Sequence, residues 1–138
     1  MAVRTFSRIF PHARCNIIGM IHVPALPGTP RSSLSMPEIL ERVEAEAATY
    51  GAAGVDGVIV ENMHDTPYSL EKDLGPEVTA CMALVGSAAR RVVPAGRPVG
   101  VQVLAGANRA AVAVALAAGL QVTDLPIVQP SCFIIPFL

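Results

Sequence analysis

Gly57-Val58-Ile59-Val60-Glu61-Asn62 is a short apolar, β-branched run that closes on a carboxylate and an amide. Such a run reads as a buried parallel strand that delivers polar groups at its carboxyl end. Strand periodicity sends Val58 and Val60 to one side and Ile59 to the other, so both faces need cover. Glu61 and Asn62 emerge where α/β folds bind their ligands.

Upstream, Ser35-Met36-Pro37-Glu38 has the form of a capping box, and the helix it opens runs to about Tyr50. Leu40, Val43, Ala47 and Tyr50 make its apolar stripe, while Glu38, Glu41, Arg42 and Glu46 form a solvated face. Gly51 and Gly54 supply the turn that leads into the strand. Earlier still, residues 16–23 form a first strand with His22 at its carboxyl end. Pro24, Pro27, Gly28 and Pro30 then forbid regular structure and make a stiff loop.

Downstream, residues 63–75 form a polar loop that carries His64 and Asp65 and is longer than a connector needs. Pro76 opens a second helix, where its missing N–H costs nothing. Val78, Cys81, Met82, Val85 and Ala89 form its buried stripe, and Arg90 and Arg91 suit its negative end. Residues 99–104 make a third strand, and Asn108 reads as the N-cap of an Ala-rich helix ending at Gly119. Strand, loop and helix thus recur three times, which predicts parallel strands in the order one-two-three with right-handed helical crossovers on one face.

Bulk properties narrow the function. The 138 residues fit one domain, and a net charge of −1 gives no basic footprint for nucleic acid. The chain is 52% hydrophobic but only 4% aromatic, so its core is built from Ala and Val. The longest apolar run, residues 110–120, falls short of the roughly 18 residues of a membrane-spanning helix. Cys15, Cys81 and Cys132 are odd in number and widely spaced, which points to a reducing interior and to ordinary core residues. Residues 1–14 carry Arg4, Arg8 and Arg14 with no acid. If helical, they place Val3, Phe6 and Phe10 on one side, as in a mitochondrial targeting segment; the alternative is a plain extension of a cytoplasmic protein.

Several motifs occur in order: Ile18-Gly19-Met20-Ile21-His22, Leu26-Pro27-Gly28-Thr29-Pro30, and Gly54-Val55-Asp56-Gly57 through Glu61-Asn62, Asp65 and Pro67. Gly75-Pro76-Glu77-Val78 and residues 99–104 continue the series. Over roughly residues 16–120 the chain resembles the BtpA family of (β/α)8-barrel proteins. The resemblance implies an α/β fold, a partial TIM-type barrel of three parallel strands and three helices, followed by a non-homologous tail. Two departures stand out. Gly106-Ala107 occupy the place of an Asn-Asp pair often found after the third strand. Beyond Leu120, residues 121–138 replace the family's fourth strand with an apolar stretch broken by Pro126, Pro130 and Pro136. Those prolines argue against a central strand. The tail reads as sequence joined on by an alternative transcript or a truncation. The expected organisation is therefore residues 1–14 as extension, 15–120 as partial barrel and 121–138 as tail. A (β/α)8 barrel takes about 250 residues, so five strands are wanting and one sheet face should be left wet.

At one rim of such a barrel, Glu61, His22 and Asp65 are the candidate catalytic groups, with Asn62 and His64 as ligand contacts. A carboxylate beside an imidazole suits general acid–base work on a small polar molecule. No close ligand pair such as His-x-His supports a metal, and the residues identify neither a cofactor nor a protein partner. The founding family member is associated with photosystem I biogenesis, so the resemblance equally implies a non-catalytic assembly or stability factor. A third expectation is a non-functional partial product.

Overall fold

The structure is a computed structural model that describes residue 10, residues 15–125 and residues 133–136. Strands β1 (Ile18–His22), β2 (Gly57–Glu61) and β3 (Val99–Gln102) alternate with helices α1 (Met36–Ala53), α2 (Pro76–Val92) and α3 (Asn108–Ala118). Two further strands follow, β4 (Val122–Leu125) and β5 (Phe133–Pro136). The sheet order is β1-β2-β3-β4-β5. The first three strands pair in parallel and in sequence order, as the repeated pattern predicts.

Register explains the core. Val58 and Val60 of β2 lie opposite Val99 and Val101 of β3, and Val60 lies opposite Ile21 of β1. These side chains share one cluster with Ile39, Val43 and Ala47 of α1, with Val78, Met82 and Val85 of α2, and with Ala111, Val114 and Ala115 of α3. The helices therefore cover this face, and each fully buried Val or Ile contributes about 1.5–3 kcal/mol. The α2 stripe is the predicted one. In α1 Val43 and Ala47 of the predicted stripe are buried, Ile39 joins them, and Leu40 and Tyr50 are half-buried. That helix also continues past Tyr50 and stops at Gly54, whose φ of 82° is the left-handed C-cap conformation that favours glycine.

Tyr50 is still held. Its ring lies over Gly19, where a Cβ would come within 2.6 Å of Cδ1. Its hydroxyl donates to the Met20 carbonyl at 3.1 Å. Gly19 is thus the space in β1 into which α1 docks.

Three expectations change. Asn108 is not a cap: Ala107 holds that position, and no side chain of its own closes the α3 terminus. Instead Glu71, from a 3₁₀ turn at Glu71–Asp73, accepts the Arg109 N–H at 2.6 Å and the Ala110 N–H at 3.2 Å. The tail does not stay out of the sheet. β4 pairs in parallel with β3, and β5 pairs antiparallel with β4, with Pro136 opposite Val122. A proline at the last position of the outermost strand removes little from the ladder, whereas it would be costly in a central strand. Pro126 and Pro130 lie outside the described residues. Finally, the face away from the helices is not left wet at β2. Ile59 is only 7% exposed. The buried Phe10 reaches Gly57, with its Cε1 2.9 Å from where a Cβ would stand. The remainder of residues 1–14 lies outside the described residues.

Candidate functional site

The face opposite the helices carries every second residue of each strand: Ile18, Met20 and His22; Gly57, Ile59 and Glu61; Gly100 and Gln102. It is apolar until the last rung. There His22 lies opposite Glu61, and Glu61 opposite Gln102. Three adjacent parallel strands thus end on one polar row facing the barrel side, at the carboxyl end where such folds carry their sites. His22 Nε2 stands 3.6 Å from Glu61 Oε2, with the imidazole side chain 49% exposed and the carboxylate 10%. The sequence reading paired His22 with Glu61 but missed Gln102. Counting the alternation through β3 from Val99 reaches Gln102, so the signal was there.

The other candidates do not join that row. Asn62 is buried, and its Nδ2 donates to Asp65 Oδ2 at 2.9 Å. Its Oδ1 accepts the Leu104 N–H at 2.7 Å. Asp65, also buried, accepts the Leu26 N–H on Oδ1 at 2.7 Å. These two side chains stitch together the loops that follow β1, β2 and β3, and each of the four groups named has a partner. They also line a cleft of about 280 Å³ with Thr29, Ser69, Asp73 and Glu77. His64 is exposed and lies across from this node, on a larger cleft that it shares with His22. So the five predicted residues lie at the carboxyl end but divide into a polar row, a buried node and the rim of the larger cleft.

Cys81, buried on α2, carries a free thiol. Burial pushes its pKa up, and the nearby carboxylates of Asp65 and Glu77 push in the same direction. Among the described residues, no three His, Cys, Asp or Glu side chains are grouped to hold a metal ion. Among the same residues, no helix is long and apolar enough to cross a membrane.

The node and the polar row are built from the motifs that carried the resemblance, and the family model for the BtpA family matches residues 13–126. The chain belongs to the BtpA family. The match runs six residues past Leu120, so the segment that forms β4 falls within it. An uncharacterized protein of Caenorhabditis elegans, named as mitochondrial, is 47% identical over 117 residues, which is 83% of this chain and 42% of the worm protein. The photosystem I biogenesis protein BtpA of Synechocystis is 36% identical over 103 residues, 75% of this chain and 35% of that protein. An uncharacterized protein of Pyrococcus horikoshii is 36% identical over 88 residues, covering 64% of this chain and 32% of its own. This BtpA-family chain therefore spans less than half the length of these relatives. No solved structure matches it significantly.

Proposed function

We propose that this chain carries the acid–base end of a βα barrel that acts on a small polar molecule, with Glu61 and His22 as the reacting pair and Gln102 as a hydrogen-bonding contact. One observation carries the reading: the last rung of three parallel strands is His22, Glu61 and Gln102, with His22 Nε2 at 3.6 Å from Glu61 Oε2. A mostly buried carboxylate beside a half-exposed imidazole can relay a proton between a substrate and solvent. Asn62 and Asp65 hold the loops in place; their polar atoms are engaged with one another and with backbone. His64 meets the ligand from the rim.

The test is a ligand screen by thermal shift on this chain and on the longer worm relative, repeated with Glu61→Gln and His22→Asn. The expected result is a small polar ligand whose stabilisation both variants lose and whose turnover by the relative falls at least a hundredfold. A ligand bound and turned over equally well by both variants would overturn the assignment.

The name of the Synechocystis relative favours a second reading, an assembly factor without catalysis. It predicts that no small molecule binds saturably in the same screen. We assign a mitochondrial location, supported by the basic, acid-free N-terminal stretch and by the name of the worm relative. A fluorescent fusion that stays cytosolic with residues 1–14 intact would refute it.

A further inference from the structure

His22 faces two ways. Toward the barrel side it meets Glu61, and on its other flank it lines a cleft of about 570 Å³. That cleft lies beside β1, the first strand in the sheet order, between the loop after β1, the flank of α1 and the loop after β2. Its volume is in the range of small-molecule sites. Ile21 and Val43 form its buried apolar floor, while Arg31, Arg42, Glu46 and the two histidines supply its charge-bearing groups. Two arginines against one glutamate leave the lining at +1 with the histidines neutral. Among the described residues neither arginine makes a hydrogen bond or an ion pair, and Arg42 acts on Glu38 only through its charge. Glu38, four residues before Arg42, spends its carboxylate on the backbone N–H and hydroxyl of Ser35, at 2.8 and 2.7 Å.

We infer that this cleft binds the phosphate group of a small molecule, with Arg31 and Arg42 as the anion contacts and His64 on the rim. Guanidinium forks match phosphate oxygens in bidentate geometry, and they keep their charge at any physiological pH. The cleft shares His22 with the polar row, so a ligand anchored by its phosphate there would lay its remaining atoms over His22 toward Glu61. That last step rests on the acid–base reading above; phosphate binding does not.

The test is an NMR titration of the full chain with inorganic phosphate, glycerol 1-phosphate and acetate, at constant ionic strength held with chloride. The expected result is saturable binding of the phosphate compounds with shifts at His22 and His64. Arg31→Gln with Arg42→Gln should weaken it at least tenfold, and acetate should not bind. Both arginines are exposed, so the double variant should keep its thermal transition, checked by circular dichroism. Tighter binding of glycerol 1-phosphate than of phosphate would identify an esterified ligand, and equal binding would identify the free ion. Glu61→Gln should bind phosphate within twofold of the parent, which separates this site from the acid–base pair. Absence of saturable phosphate binding, binding of acetate equal to that of phosphate, or full binding by the double arginine variant would overturn the inference.

Discussion

Asn62 Nδ2 donates to Asp65 Oδ2 at 2.9 Å, and Oδ1 of each residue accepts a backbone N–H from a different loop. The partners are Leu104 and Leu26, so two side chains three residues apart hold the ends of three strands together. The ladder between the strands sets the polar rung, and this node ties together the loops that leave it.

Asp65→Ala leaves the buried Leu26 N–H and the Asn62 amide without their acceptor. A buried group stripped of its partner costs about 1–3 kcal/mol, so the urea midpoint of the variant should fall by that equivalent. Asn62→Ala should cost as much, and the double variant should cost less than the sum, because both changes break one network. Additive losses would show that the two side chains act separately.

Glu71→Ala removes an acceptor from the first turn of a helix that begins well beyond it in sequence. Loss of a helix cap costs about 0.5–2 kcal/mol. Amide exchange at Arg109 and Ala110 should speed up while exchange in α1 does not. Glu71→Gln keeps an oxygen and should recover most of the loss. Equal losses in the two variants would mean that charge at the helix terminus, rather than the hydrogen bond, is what matters.

Gly19→Ala puts a methyl group where the Tyr50 ring lies, at 2.6 Å from Cδ1. Either the ring leaves and its 3.1 Å bond to Met20 breaks, or α1 shifts off the sheet. The expected loss is about 1–3 kcal/mol, as for overpacked cores. Tyr50→Phe, which deletes only the hydroxyl, should cost about 1 kcal/mol. Thermal unfolding of the two variants measures both, and a neutral Gly19→Ala would refute this docking.

The Glu38 carboxyl is held below its ordinary value of 4.5, first by the Ser35 hydroxyl, then by the Ser35 backbone N–H. A depressed folded-state pKa means that the bonds support α1 above the unfolded-state value. That support fades as the pH falls below about 4.5 and through the lowered folded value. NMR titration should give Glu38 a midpoint below the ordinary value of 4.5. Glu38→Gln should flatten the acid-side change in the amide exchange of the first turn. A Glu38 midpoint at the ordinary value would disprove the capping interaction in solution.

The local chemistry of the chain, read residue by residue, determined the three strand–helix units, their parallel order and the buried stripe of α2. Each depends on periodicity, on proline and on glycine, which act over a few neighbours. The same reading put His22 and Glu61 at one end of adjacent strands, since the alternation along each strand is fixed by backbone geometry. It failed where a partner comes from far away. Asn108 looked like a cap because of its residue type, yet the acceptor is Glu71, 38 residues from Arg109. Asp65 could be read from its charge alone, but that Oδ1 takes the Leu26 N–H, 39 residues away, is set by the packed loops. The prolines after Leu120 argued against a central strand, and Pro136 stands in the outermost one, a placement that only the sheet order decides. Residue type sets what a group can do; the contacts made across the fold decide whether that capacity is free to act or is already spent on structure.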